Sequence, residues 1–345
     1  MGPGDLVQES GGAGQTAPSS EWIVAPKGTA CEAPALGAGH VVFRVGTRIF
    51  RIEARVGAQP EDLSAQLDRF SRGEEKFVNT SPNGEWLVIA TSRFGCKPNE
   101  CLAVVNKNMC AAQVVRVAGE ALDVNGEGAA VSNDGATIVF PAQGGPHKRD
   151  LFVTHRKGND YTAPKVLTAS SPLQFHQQPA ISDDGRRVVF DCGPKPTAET
   201  GSSICEVNLD GTGFHVVVSP DSGPWGNDGA PHHPDYSPDG RIVFESTWDG
   251  DAEQVWDLPS DADSSTKPQS NEEVQKPGTD RVCAGRSFTN DNSPCVLPDG
   301  RMVSLWLGRH GSGGHELKIM SADCRETNML LTDVDIEDVG LGCSR

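Results

Sequence analysis

The chain has 345 residues and carries 47 acidic against 30 basic side chains, a formal net charge of −17. A surface this acidic repels phosphate backbones, so nucleic acid is excluded as a natural partner, and cationic groups or bound metal ions fit better. Gly (39) and Pro (24) are abundant, hydrophobic residues are 36%, and no apolar run approaches membrane-helix length; the composition favours short strands with punctuating turns and excludes a spanning helix.

Residues 1–27 are rich in Gly, Ser and Pro and lack the basic start and apolar core of an export signal. They read as a flexible tail, or tether, ahead of one folded unit over 28–345. Ala33–Ala54 holds two short apolar runs, His40–Val45 and Arg48–Ile52. Arg55–Glu75 shows no strand alternation and reads as a short helix or loop.

A turn signature then recurs five times, each time before an apolar run of strand length. It reads Thr80-Ser81-Pro82-Asn83-Gly84 before Trp86–Ile89, and Val131-Ser132-Asn133-Asp134-Gly135 before Thr137–Phe140. The third and fourth copies are Ile181-Ser182-Asp183-Asp184-Gly185 and Tyr236-Ser237-Pro238-Asp239-Gly240. The fifth is Leu297-Pro298-Asp299-Gly300. The glycines lie 51, 50, 55 and 60 residues apart. Asp-Gly and Asn-Gly supply the positive φ of a tight turn, and Pro presets the residue before them. About ten residues on, a further strand follows each copy: Leu102–Val105, Asp150–His155, Ile204–Leu209, Gln254–Leu258 and Glu316–Met320.

Each unit is therefore a four-stranded antiparallel meander that cannot bury both faces alone. Radial stacking buries them and hides the edges. Five clear copies and the degenerate first one predict an all-β, six-bladed β-propeller, with Asp338–Cys343 returning to close the ring. The alternative of seven blades needs a unit within Arg55–Glu75.

The Ser-Pro-Asp-Gly-Arg turn with Ile-Val-Phe at Ser237–Phe244 resembles the repeat of TolB-like β-propellers, over about residues 28–345. That resemblance implies a propeller serving as a binding or scaffolding module; the additional α/β domain of TolB has no counterpart in residues 1–27.

The ten cysteines include no paired CxxC motifs, so they read as disulfides of an oxidising compartment, periplasmic or extracellular. Local spacing pairs Cys96 with Cys101, Cys192 with Cys205 and Cys283 with Cys295. A link between Cys31 and Cys343 would lock the ring.

In such a ring the innermost strand precedes the Asp-Gly turn, and its first residues face the channel mouth opposite the turns. Those segments read His176-Gln177-Gln178-Pro179, His232-His233-Pro234-Asp235 and Asp291-Asn292-Ser293-Pro294, with Glu127 in the second copy and Glu75-Lys76 in the first. Aligning the prolines matches Gln177 with His232 and Asn292, and Gln178 with His233 and Ser293. Loops on the same face add His147, Arg149, Trp248, Arg309, His310 and His315. Six of the nine histidines fall in these segments.

Imidazole with carboxamide suits a divalent metal, so His176, Gln177, His232, His233 and His315 are the candidate ligands for Mn, Zn or Ca. Gln178, Asp291, Asn292, Glu127 and Trp248 are candidate ligand contacts. Hydrogen-bonded polar groups around channel water account for the same residues equally. No Gly-x-Ser-x-Gly elbow, phosphate loop or dinucleotide fingerprint occurs, so no nucleotide cofactor is expected.

Two functions follow. The first is an exported, monomeric module that binds protein or glycan through this face and the channel. The second is a metal-assisted enzyme, most concretely a uronate polysaccharide lyase. His176–Pro179 with Asp191–Pro194 is similar to oligogalacturonate lyases, which implies a metal neutralising the uronate carboxylate. Arg149 or Arg309 would then take the proton, with His147 as a further acid or base.

Overall fold

One local device closes every predicted turn. The glycine alone takes the left-handed conformation, with φ between +66° and +82° at Gly84, Gly135, Gly185, Gly240 and Gly300. Its N–H donates to the carbonyl three residues back at 2.8–2.9 Å. In four copies the turn serine donates its hydroxyl to the Asn or Asp side chain before the glycine (Asn83, Asp134, Asp184, Asp239). The Asp or Asn is thus a side-chain brace and not a second positive-φ residue.

The computed structural model describes residues 22–27, 39–69, 71–96, 100–122, 128–195, 202–223, 229–248, 253–259, 261–263, 265–266, 291–307, 315–322, 326–337 and 340–345. Their strands form six sheets. Blade 1 orders Gly342–Cys343, His40–Val45, Arg48–Glu53 and Glu61–Asp62. Blade 2 runs Glu75–Thr80, Trp86–Thr91, Cys101–Asn106 and Ala111–Val114. Blade 3 is built on Ala130–Val131, Thr137–Ala142 and Asp150–Lys157, with several two-residue outer strands. Blade 4 runs Phe175–Ile181, Arg187–Gly193, Ser203–Asn208 and His215–Val218. Blade 5 shows His232–Tyr236, Ile242–Ser246 and Gln254–Leu258, and blade 6 Asp291–Val296, Met302–Leu307, His315–Met320 and Thr327–Ile336.

Six apolar cores lie between successive sheets. Val189 and Ile204 of blade 4, for example, share a core with Phe244 and Trp256 of blade 5. Val41 and Phe43 of blade 1 pack on Val303 and Leu317 of blade 6, which completes the ring. The expected closure is present as Val41 opposite Cys343 and Val42 opposite Gly342. Arg55–Glu75 holds the short strand that ends blade 1 and the five-residue helix Leu63–Leu67, capped by Asp62. No seventh sheet occurs among the described residues.

Ile23–Val24 pairs with Ala111–Ala112 as an outer strand of blade 2, and Trp22 lies on Trp86 at 5.6 Å between ring centres. The boundary between tail and folded unit therefore falls before residue 22, earlier than residue 27, because blade 2 presents an unpaired edge that this segment fills. Asn208–Gly213, which superficially resembles a calcium loop, is a hairpin turn closed by Gly211 N–H to the Asn208 carbonyl.

The disulfides Cys96–Cys101 and Cys192–Cys205 form as local spacing predicts. The other two pairings are corrected. Cys295 bonds Cys343, with 5.5 Å between their Cα atoms, which leaves neither Cys283–Cys295 nor Cys31–Cys343. The inner strand of blade 6 lies beside the closing strand, a neighbour that no sequence spacing announces. Cys110 is also disulfide-bonded. The variant Cys295→Ser/Cys343→Ser is expected to lose about 2–4 kcal/mol, read as a lower urea midpoint, because a 48-residue loop is no longer closed in the unfolded chain. An unchanged midpoint refutes this.

His40, at the same seam, exchanges backbone and side-chain hydrogen bonds with Ser344. Burial, with Arg51 and Lys107 nearby, drives its pKa from 6.5 down to about 3. The folded state then resists a proton that the unfolded chain accepts, so stability is complete above pH 6.5 and is lost as pH falls toward 3. His40→Gln is expected to flatten the fall in urea midpoint over that window; an unaltered slope counts against it.

Candidate functional site

The inner strands carry one recurrent deformation. Four residues before the turn serine, before Leu297 in blade 6 or before Ser344 in blade 1, stand Phe77, Gly128, Gln178, His233, Ser293 and Gly340, one from each blade. All but Phe77 are in the left-handed region, at φ +94° for Gly128, +51° for Gln178, +48° for His233 and Ser293, and +101° for Gly340. The strand register slips at the same place in blades 4, 5 and 6. In those blades the next residue is proline (Pro179, Pro234, Pro294), whose missing N–H and fixed φ suit a bulge. A left-handed non-glycine residue costs about 1 kcal/mol, and three in register are held by the surrounding fold.

These six residues line the central channel, with Asn79, Ala180, Asp235 and Cys295 behind them. The channel leaves about 70 Å³ for the centres of water-sized molecules, room for several waters. Its wall is lopsided: Gly128 and Gly340 contribute no side chain, Phe77 is apolar, and blades 4–6 present Gln, His and Ser.

The polar side is wired from blade to blade. The Gln178 amide nitrogen lies 2.7 Å from His233 Nε2, and His233 Nδ1 lies 2.8 Å from Glu245. Nδ1 carries a proton and donates to the carboxylate. Glu245 also accepts the backbone N–H of Ser293 in blade 6. Burial would raise the Glu245 pKa, but the charge and hydrogen bond of His233 hold it below the ordinary value. Asp191, in blade 4, stands at the equivalent place in its own strand, opposite Gln177 as Glu245 is opposite His232. It lies 3.8 Å from His232 Nδ1, and neither of its buried oxygens finds a hydrogen-bond donor. Burial opposes the charged form of His232, yet Asp191 and then Glu245 raise its pKa. Gln178 Oε1 and Asn292 Oδ1 are likewise buried without donors.

His147, Asp150 and His176 form a separate cluster, the one set of three ligand-type groups among the described residues that comes within reach of a single ion. Its geometry does not suit a metal. His176 Nδ1 lies 2.8 Å from the Arg149 carbonyl, which can only accept, so that nitrogen keeps its proton; Nε2 faces the Ser171 hydroxyl at 2.8 Å. No lone pair is left over. Burial lowers the His176 pKa against the pull of Arg149 O and Asp150. Asp150 is filled by His147 and Thr168.

Of the five candidate metal ligands, Gln177 takes a hydrogen bond from Arg149 at 3.1 Å, and His315 reaches the Ile336 carbonyl at 3.2 Å within the outer strands of blade 6. Among the described residues no three of the set's histidines come within reach of one ion. Trp248 requires a correction: it is fully buried, packed on Phe244 and Trp256, and cannot stack on a ligand. Glu75 points into a buried ion cluster with Arg93 and not into the channel. Glu127 and Arg309 lie outside the described residues, as does the side chain of Asp291. Phe77, Gly128, Gly340 and Glu245 were missed, and Asp191 entered only within the segment Asp191–Pro194. Counting four residues back from each turn would have found the first two.

No protein-family model matches the chain, and no curated protein matches it by sequence. Among solved structures, a TolB structure from Agrobacterium tumefaciens is 16% identical at a TM-score of 0.58, covering 88% of this chain and 91% of that one. TolB from Acinetobacter baumannii is 12% identical at 0.61, covering 89% and 66%. A chain of a nidogen/laminin complex is 10% identical at 0.57, covering 89% and 98%. These likenesses are of fold: the structural neighbours include TolB-like β-propellers. Among the described residues no helix is long and apolar enough to cross a membrane.

Proposed function

We propose that this propeller is an exported binding module that takes a protein or glycan ligand at the mouth and wall of its central channel. One observation carries the reading. Blades 4, 5 and 6 each hold a non-glycine residue in the left-handed region at the channel wall, with buried acceptor oxygens beside them left without donors. Strain and unmet acceptors at one place are the marks of a surface shaped for a ligand that donates hydrogen bonds. The disulfides support a periplasmic or extracellular setting, and the fold neighbours support a binding role.

Wild type and Gln178→Ala/His233→Ala are to be compared on an array of immobilised glycans and against a panel of purified exported proteins. We expect the variant to lose at least about tenfold in affinity for the wild-type ligands, roughly 1.4 kcal/mol, while circular dichroism stays unchanged. Equal binding by the two proteins overturns the reading.

A second reading, the metal-assisted lyase, is favoured by Asp191, a buried carboxylate with no donor on either oxygen beside His232. A divalent cation would answer that charge, and Gln178 and Asn292 offer further oxygens. Metal analysis after purification without chelators separates the readings. A stoichiometric metal lost in Asp191→Asn supports the second; equal metal content in wild type and variant removes it.

A further inference from the structure

The end of the channel nearest the turns is closed by one side chain. Ser344 bonds back to His40 in blade 1, and the Arg345 N–H donates to the Pro82 carbonyl in the first turn of blade 2. From there the Arg345 side chain crosses the axis to the far side of the ring. Its NH1 donates to Asp235 at 2.5 Å and to the Tyr236 carbonyl at 2.7 Å, and its NH2 to the Ile181 carbonyl at 2.7 Å. Nε lies 2.8 Å from Asp183 Oδ1, near enough for an ion pair though not aligned for a hydrogen bond. The side chain is 4% exposed.

The acceptors follow from the repeat. Ile181 and Tyr236 occupy the same register, just before the turn serine in blades 4 and 5, so the fold sets two carbonyls side by side at the axis. Asp183 and Asp235 add charge from the same two blades. Asp235 also lines the channel, so the plug sits on the floor of the cavity whose wall Gln178 and His233 form. One carboxylate and two carbonyls met by the forked donors of one guanidinium, with a second carboxylate within ion-pair reach, are a geometry that an ammonium cannot fill.

We infer that the turn end of the channel is a guanidinium-binding site, filled in this chain by Arg345, and that the channel is therefore a pocket with a single mouth. The site is built by blades 4 and 5 and holds its ligand by charge and fork geometry. It therefore takes a free guanidinium compound when Arg345 is shortened.

The test uses the full chain carrying Arg345→Ala and ethylguanidinium as probe. The variant is expected to melt on the order of 5 °C lower than wild type, as a buried pair loses one partner. Low-millimolar ethylguanidinium restores that Tm saturably, does nothing for wild type, and is not matched by tetramethylammonium or ethylammonium at equal ionic strength. Adding Asp235→Asn abolishes the rescue. Equal effects on variant and wild type, or rescue by any cation, overturn the inference. Should Arg345→Ala not fold, Arg345→Lys keeps the question open to measurement. A lysine variant as stable as wild type refutes the fork requirement, and one that melts lower and gains Tm with ethylguanidinium upholds it.

Discussion

Trp248→Ala is expected to cost about 3–5 kcal/mol of stability, among the largest effects of any single substitution here. The indole is fully buried between blades 4 and 5, edge-on to Phe244 at 5.8 Å and to Trp256 at 5.2 Å. Its Nε1 donates to the Pro220 carbonyl at 2.7 Å. Two glycines make room for it: a Cβ at Gly223 or Gly229 would come within 2.7 or 2.1 Å of the ring. Truncation removes the apolar contacts, opens a cavity that the fitted wall cannot fill, and takes away one of the two donors to the Pro220 carbonyl, the other being the Gly229 N–H. The urea midpoint and near-ultraviolet dichroism measure the loss. A variant as stable as wild type that loses affinity for sugar would restore Trp248 to the ligand surface and refute its place in the core.

The second large effect is expected at Arg93, whose side chain is wholly buried, as is that of Glu75. Its guanidinium pairs with Glu75 and with Asp68 at 2.6 Å and donates to the Ser71 carbonyl. Burial acts against the charge on Arg93, but Glu75 and Asp68 outweigh it and hold the pKa above its ordinary value. This cluster ties the loop after the blade 1 helix to blade 2. Arg93→Met leaves the buried Glu75 carboxyl without its cation, at a cost of about 3–5 kcal/mol. Because the penalty is mainly that orphaned carboxylate, Arg93→Met/Glu75→Gln is expected to recover part of it. Additive losses in the double-mutant cycle would show that the two side chains are not coupled.

How much of this was legible in the sequence depended on how local the cause was. The turns were readable because Ser, Asp and Gly act within five residues of one another. The positions before Pro179, Pro234 and Pro294 were readable because the proline marks the bulge. Gly128 and Gly340 have no such neighbour and were passed over, although the same count from the turn reaches Gly128. Long-range partners left no local trace. Cys295 meets Cys343 because the ring closes, and Arg345 meets Asp183 and Asp235 because blades 4 and 5 face blades 1 and 2 across the axis. The histidines gathered in the segments the repeat indicated. Among the described ones the ring nitrogens nonetheless face carbonyls, hydroxyls, carboxylates and an amide that sequence cannot place, so the gathering was legible and the partners were not.

The link from Cys295 to Cys343 also has a mechanical meaning. The strand that shuts the ring is two residues long, and such a pairing would peel under a pull on the chain beyond it. With the sulfurs joined, a load applied at residue 345 passes into the inner strand of blade 6 and is shared by a whole sheet. The seam of this ring is then a weld and not a zip, and in a reducing medium it is the first joint to test.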